Sequence, residues 1–476
     1  MRVIPTIKVI PRQAALVLLS AALLVLLISL PKRFAIDDAY ITLHNARVLM
    51  SGATDPMYGT SYLVGATSAI YLALLALVGL IFPLPTASFI VLFGAILLYA
   101  IGLERLARDN GLTGWRPFAI VLIGLLWGYS IIHLLNGLET GLSMAVVTWL
   151  LVLANDRQWL PILCGLTPFV RPELVLLAGP LLGRLLWQQR SLRPIFPAAV
   201  VALPFAAWYW IETGSPLPST GTAKIFFFGE IHASFSAKLV RAGQVLIASA
   251  LPPLFIGFLG HRRVPAGWCA ALFVVAWLAL STITLPSSLH WNDSRYTATL
   301  VPALLFGLIG VSRSQSRIAD FVIALLFAIA LGTGFWVAKL YGDQIRQAAT
   351  PYRPALAVAK LSPESVVLIH DAGLLAWAEP RVKLVDVVGL KSPASQKWHR
   401  AYTTRICGWD KALDAIARET HATHLVALDW GFWVCVKTNL ERAGWKVTPV
   451  FSEHDHLYRI EPPTARPPRQ AELRLQ

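Results

Sequence analysis

Charge is what this chain of 476 residues has least of: Asp, Glu, Lys and Arg together make up only 14% of it. A soluble domain carries about a quarter charged residues, so the composition excludes an ordinary soluble protein. Acidic residues are scarcer still, 26 against 41 Lys and Arg, for a formal charge of +15. Such an excess often marks a nucleic-acid binder. Here it gathers in short loops between apolar segments, which is the signature of membrane topology instead. Cysteine is nearly absent, at four residues, with no C-x-x-C pair and no Cys/His cluster of metal-ligand spacing. His421, His424, His454 and His456 have no such spacing either, so no metal site is expected. Cys164 and Cys269 lie in apolar segments and read as packing residues. Cys407 and Cys435 lie in a polar region, where a disulfide is open to them if that region faces an oxidising compartment. No internal repeat of fixed period is visible.

What the sequence does have is long apolar runs, at 14–30, 63–82, 86–103, 117–135, 139–154, 159–170, 174–187, 195–211, 244–260, 266–285, 296–311 and 318–338. A bilayer core takes about 20 such residues per helix. The first run follows Arg2, Lys8 and Arg12 but ends at Pro31-Lys32-Arg33, a poor cleavage site, and reads as an uncleaved span. If every run crossed the membrane, the basic loops would alternate to the wrong side. Treating 63–82 as a segment that lies along the membrane or re-enters it repairs the pattern. Arg105/Arg108/Arg116, Arg157, Arg190/Arg193, Arg262/Arg263 and Arg313/Arg317 then all lie inside. The expectation is an α-helical polytopic membrane protein of about eleven transmembrane helices, residues 1–338, with membrane-lying helices in a first external loop at 31–85. Residues 339–461 change character. Strand-like runs at 365–369, 381–388 and 424–428, a helical stretch near 410–420 and a terminal hairpin at 445–460 predict a small α/β extracytoplasmic domain. The proline-rich remainder, 462–476, reads as a disordered tail.

This topology sends five polar motifs to the outer face: Asp37-Asp38, Gly137-Leu138-Glu139-Thr140, Arg171-Pro172-Glu173, Gly214 to Lys224, and His290 to Tyr296. Ionisable groups near lipid are costly and usually functional. Adjacent carboxylates resist ionising together, which raises a pKa towards the range of a general base. The plainer reading of Asp37 or Asp38 is a helix cap, favourable with the helix dipole, and Glu139 could cap its own helix in the same way. Arg171 could simply pair with Glu173, or its planar fork could hold a phosphate. Lys224 could be a snorkelling anchor, and Arg295 with Tyr296 could belong to an interfacial belt. As site residues, Lys224 and Arg295 would stabilise a phosphate that gains charge as it departs. His370-Asp371 ending a strand reads as turn punctuation.

Taken in order, Asp37-Asp38-Ala39-Tyr40-Ile41-Thr42, Ala46-Arg47, Gly52 and Gly65-Ala66-Thr67-Ser68 resemble the first external loop of GT-C-type glycosyltransferases. These are membrane enzymes that use polyprenyl-phosphate sugars, and the arabinofuranosyltransferase-like branch is the most similar. The later motifs follow that branch in order, through Gly137 to Thr140, Arg171 to Glu173, Gly214 to Thr220 with Lys224, Arg295-Tyr296 and Val385 to Leu390. The resemblance implies a GT-C-like fold and an inverting glycosyltransferase that moves a sugar from a polyprenyl-phosphate carrier to a hydroxyl of a cell-envelope glycan, lipid or protein. It implies Asp37 as catalytic base with Asp38 as partner; in such a site Glu139 could orient Asp37 or the acceptor hydroxyl, and Arg171, Lys224 and Arg295 are the cations for the donor phosphate. The chain departs from the branch at Leu43-His44-Asn45, at Ala69 and at Ser219. His44 and Ser219, with Tyr40 and Tyr296, are therefore the candidates for substrate contact. No nucleotide sugar is implied, in keeping with the lack of a glycine-rich loop opening a helix. A divalent cation could assist but no spacing requires one. The implied setting is a bacterial cytoplasmic membrane, with the site and the C-terminal domain on the periplasmic face. Two other readings fit the composition: a transporter or flippase of lipid-linked glycans, which would place its charges near the midplane of repeated halves, and a non-catalytic scaffold of envelope assembly.

Overall fold

The computed structural model describes residues 33–314, 316–348 and 352–463. The first apolar run, 14–30, lies outside the described residues, as does nearly all of the expected tail. The described part is mostly helical. Four of its helices are long and apolar enough to cross a membrane: Leu84–Asp109, Ile195–Thr213, Gly267–Thr284 and the helix that starts at Arg317. Two bent pairs bring the number to six if each is one span: Phe235–Ala248 with Pro252–Arg263, bent by 96°, and Asn292–Ala298 with Val301–Ser312, bent by 54°. At 1.5 Å per residue, the 26 residues of Leu84–Asp109 reach about 39 Å, more than a hydrocarbon core. Ile195–Thr213 and the helix from Arg317 present Phe196, Leu203, Ile211, Phe321 and Phe335 outward, the pattern of a helix whose solvent is lipid. This is a multi-pass membrane protein.

Several of the other apolar runs fold as shorter helices. The 117–135 run breaks after Leu126 and resumes as Ser130–Leu135. The 63–82 run forms an eleven-residue helix, Ala69–Gly79, about 16 Å long and so roughly half a bilayer core. Ser68 starts it, its side chain accepting the N–H of Tyr71, and the Tyr71 hydroxyl donates to the Gly137 carbonyl at 2.9 Å.

Beyond residue 352 the chain forms a five-stranded sheet in the order β2-β1-β3-β5-β4. β1 (Val366–Ile369) runs parallel to β2 (Lys383–Asp386) and β3 (His424–Val426), while β5 (Leu457–Glu461) runs antiparallel to β3 and to β4 (Lys446–Pro449). Helices Pro393–Tyr402, Asp410–Glu419 and Val434–Arg442 accompany the sheet. Cys407 and Cys435 are joined in a disulfide.

This part is not an appendage. Its hydrophobic core includes Ile41 and Met57 from the first loop, and Ala223, Phe227 and Phe228 from the helix Thr220–Phe228. Phe227 stacks on Trp409 at 4.3 Å, and the Trp409 indole N–H donates to the Phe227 carbonyl at 2.6 Å. The helix Asp37–Ser51 holds the short helix Leu374–Trp377 at both ends. Asp37 accepts N–H bonds from Gly373 and Leu374. Arg47 donates to the carbonyls of Ala376 and Trp377 and lies over the Trp377 ring at 4.6 Å. Asp37 thus caps the N-terminal N–H groups, and the Arg47 cation at the last carbonyls matches the helix dipole. Gly373 is required for the fit, because a Cβ there would lie 2.2 Å from the Asp37 carbonyl oxygen.

Candidate functional site

Backbone features aim the site residues inward. Arg171 precedes Pro172, and the steric demand of proline keeps the preceding residue extended. With φ −158° and ψ 133° it ends the helix Trp159–Val170 and leaves its guanidinium buried. Gly137, at φ 81° and packed on the Phe34 ring, turns the chain before Glu139. Glu139 occupies the N-cap position of Thr140–Val152 without a side-chain cap bond; its carboxylate serves the arginines instead. Lys224 projects from the helix that Trp409 anchors.

These side chains meet around one cavity of about 400 Å³, lined among others by Asp38, Glu139, Arg171, Glu173, Lys224, Arg295 and Tyr296. Asp38 Oδ2 accepts from Lys224 Nζ at 3.4 Å, Asn292 Nδ2 at 3.1 Å and Arg295 Nη1 at 3.0 Å. Glu139 Oε1 accepts from Arg171 Nη1 at 3.2 Å and Arg295 Nη2 at 3.3 Å. Arg171 also bonds Glu173 through Nε. All three cations surround the Tyr296 ring, at 5.0 Å for Arg171, 5.3 Å for Arg295 and 5.7 Å for Lys224, and Lys224 donates to its hydroxyl at 3.1 Å. The Nε of Arg295 is buried with no hydrogen-bond partner among the described residues. Burial alone would raise the Asp38 pKa; Lys224 and Arg295 overcome it and hold the carboxylate below its usual range. Lys224 is half-buried, and the neighbouring Asp38 charge outweighs the cost of its burial and raises its pKa.

The walls differ in character. Trp277, Leu280, Leu176 and Val175 form an apolar side on the helices Gly267–Thr284 and Val175–Gln189, with Val175 and Leu280 both 44% exposed at its outer edge. The lining also includes Thr42, Gly65, Thr67, Thr220, Gly221 and Thr222, with the Thr67 and Thr220 hydroxyls 3.1 Å apart. Gly65, at φ 83°, is pressed so closely on Lys391 that a Cβ would sit 2.8 Å from its Cδ.

The expected set is only partly gathered here. Asp38, Glu139, Arg171, Lys224, Arg295 and Tyr296 line the cavity; Asp37, Tyr40, His44 and Ser219 do not. Asp37 does cap a helix, though not its own: both oxygens are taken by N–H groups more than 330 residues away in sequence. Tyr40 packs between Phe34 and Trp377. Ser219 precedes the helix whose next residue, Thr220, reaches the wall. His44 sits in a buried polar cluster. Its Nδ1 faces Arg47 at 3.0 Å and its Nε2 faces Asp55 at 2.7 Å. Guanidinium only donates, so Nδ1 accepts and Nε2 carries the proton given to Asp55. Lys391, fully buried, pairs with Asp55 at 3.1 Å and donates to Asn45 Oδ1 at 2.7 Å. Burial holds the His44 and Lys391 pKa values down, while His44 and Lys391 together pull Asp55 below its usual range despite burial.

Asn292 joins the site without having been expected there. Asn292, Asp293 and Ser294 take φ of 49°, 58° and 65° in succession, a left-handed turn at ~1–2 kcal/mol per residue for side chains that do not favour it. Asn and Asp tolerate that region best, and the Asn292-Asp293-Ser294 triplet was the available signal. Among the described residues, no group of three or more His, Cys, Asp or Glu could hold a metal ion.

Burial first, then the charge of Asp371, raises the Asp37 carboxyl well above the usual range, against its two backbone N–H bonds and with a further push from Asp38. A raised folded-state pKa stabilises fully below the unfolded value and loses that contribution as pH rises through the folded one. The melting temperature is therefore expected to fall, as pH rises above the ordinary carboxylate range, more steeply in the native chain than in Asp37→Asn. Parallel curves would show that folding does not raise the Asp37 pKa.

The fold is shared with solved structures. ArnT from Cupriavidus metallidurans in the apo state superposes with a TM-score of 0.53 at 14% identity, over 94% of this chain and 98% of that one. ArnT from the same organism bound to undecaprenyl phosphate gives 0.52 at 14% identity, over 81% and 89%. The arabinofuranosyltransferase AftD from Mycobacteria gives 0.48 at 17% identity, and this chain spans 38% of its length. Neither a protein-family model nor a curated protein sequence matches the chain. The class that fold and cavity define is thus the polytopic ArnT-like membrane fold, and a shared fold does not by itself assign an activity.

Proposed function

We propose that the chain is an inverting membrane glycosyltransferase that takes a sugar from a polyprenyl-phosphate carrier and passes it to a hydroxyl of a cell-envelope glycan, lipid or protein. The observation that carries this reading is the joining of two buried arginines, the half-buried Lys224 and an accessible carboxylate in a cavity that also has an apolar lining. A lipid phosphate needs both halves: fixed positive charge for the head and a greasy, outward-opening wall for the tail. The likeness to a fold seen with undecaprenyl phosphate bound supports the same donor class.

In this reading Lys224, Arg295 and Arg171 turn to the phosphate, with the unpartnered Arg295 Nε a donor already in place. Drawing cations away from Asp38 raises its proton affinity as the donor seats. The base is assigned to Asp38 in place of Asp37. The acceptor oxygen attacks the anomeric carbon from the face opposite the phosphate. As the new C–O bond forms, the bond to phosphate oxygen breaks, its electron pair leaves on the phosphate, and the acceptor proton passes to Asp38. Glu139 keeps the two arginines in register. Eleven spans, with the α/β domain of 339–461 on the periplasmic side of a bacterial cytoplasmic membrane, complete the proposal. The Cys407–Cys435 disulfide supports that side, since disulfides persist in oxidising compartments.

Binding of undecaprenyl phosphate to the purified chain tests the cation roles. Lys224→Ala is expected to weaken it about tenfold or more, the scale of one charge-assisted contact. Equal affinity in the variant would remove Lys224 from the phosphate site.

A further inference from the structure

We infer that Asn292 is a positioning residue for Asp38, holding the carboxylate by Oδ2 so that Oδ1 is the oxygen offered to the acceptor hydroxyl. The inference rests on the proposed transfer reaction and adds to it a residue and an assignment of the two oxygens. Every hydrogen bond to the Asp38 carboxylate among the described residues converges on Oδ2, from Lys224, Asn292 and Arg295. Among the described residues, none reaches Oδ1. Two of those donors are cations, and a phosphate entering the cavity competes for both. Asn292 is neutral and has no such pull, so it is the donor that stays with Oδ2 when the cations turn away. Without it, a carboxylate released by Lys224 and Arg295 is free to rotate about its Cβ–Cγ bond, and its basic lone pair loses its direction.

The backbone around Asn292 fits a dedicated role. Three consecutive non-glycine residues in the left-handed region persist only where surrounding contacts fix them. The contacts come from separate helices. His133, on Ser130–Leu135, gives its Nε2 proton to the Asp293 carbonyl at 2.7 Å. Gln344, on Arg317–Ala348, donates to Asp293 Oδ2 at 3.2 Å. The third tether is the Asn292–Asp38 bond itself. His133 and Gln344 thus fix the turn from behind, and Asn292 faces the acid in front.

The test uses the full chain in nanodiscs, with radiolabelled undecaprenyl-phosphate-linked pentose and hexose donors and native envelope extract as acceptor. Asn292→Gly is the informative variant, since glycine adopts a left-handed turn freely while losing only the side-chain donor. Its kcat is expected to fall about tenfold, with donor KM and the Kd for undecaprenyl phosphate within about twofold of native and the melting temperature not lowered. Asn292→Asp, which also tolerates the turn but sets a second negative charge beside Asp38, should lose more. A merely structural role would lower kcat only together with the melting temperature. Native kcat in Asn292→Gly, beside an inactive Asp38→Asn, would overturn the positioning role alone. Full transfer by Asp38→Asn, or transfer from none of these donors by the native chain, would overturn the reaction on which it rests.

Discussion

Asp38→Asn is expected to cost the transfer rate about 10²–10⁴-fold, the contribution of a well-placed general base, while Asp37→Asn keeps it within about fivefold. The two residues are neighbours on one helix, so this contrast cannot arise from general damage to the region. Asp38 opens on the cavity and meets Lys224, Arg295 and Asn292. Asp37 is turned away, with both oxygens bonded to the backbone at Gly373 and Leu374. Asparagine at 37 retains one acceptor for those N–H groups and removes the charge repelled by Asp371, so the docking contact survives. Incorporation of radiolabel from a polyprenyl-phosphate donor, normalised to protein in the membrane, reads the difference. The reverse order of effects would return the base to Asp37 and would require the Leu374–Trp377 helix to undock during turnover.

The second large effect is on stability. Lys391→Met is expected to destabilise the chain by about 3–5 kcal/mol, because removing one partner of a buried ion pair strands the other. Lys391 and Asp55 are both fully enclosed, and Asp55 would keep only His44 and the N–H groups of Met57 and Tyr58. Surface ion pairs such as Lys446–Glu461 contribute far less, ~0–1 kcal/mol, and Lys446→Met is the matched control. Thermal unfolding in detergent measures both. Proteolysis should release the sheet-bearing part early in Lys391→Met, since this cluster joins Gly65 and the Asp37–Ser51 helix to the residues after β2. Equal melting temperatures for the two variants would show that the cluster does not carry the docking.

The large divisions of the molecule were legible because lipid and water impose different patterns. Helices that face lipid are apolar around much of their circumference, and the sheet strands are short apolar runs between turns. Charge signs alone set 63–82 apart from the other runs; by length it is not distinguished, since Ala69–Gly79 and Arg116–Leu126 both have 11 residues. Within the site, Glu139, Arg171, Lys224 and Arg295 could be singled out as ionisable residues bordering apolar runs, where such groups rarely stand without purpose. Which of two adjacent acids faces the cavity could not be read. Neighbours on a helix point about 100° apart, and the choice is made by Gly373, whose missing side chain lets a distant segment pack on the Asp37 backbone. His44 was misleading for a related reason: its partner Asp55 is paired in turn with Lys391, far along the chain. Asn292 depended on a left-handed backbone fixed by His133 and Gln344, neither near it in sequence. Period and composition describe a residue's own element, whereas these three outcomes were decided by elements remote along the chain.

The late segments hold the early ones: Trp409 grips the helix of Lys224, and the Leu374–Trp377 turn seats the helix of Asp38. Translation runs in the opposite direction, so a nascent chain inserts its membrane helices long before those clasps exist. If the proposed transfer reaction holds, half-made copies are expected to be inert, and activity to begin only once the last quarter of the polypeptide has folded.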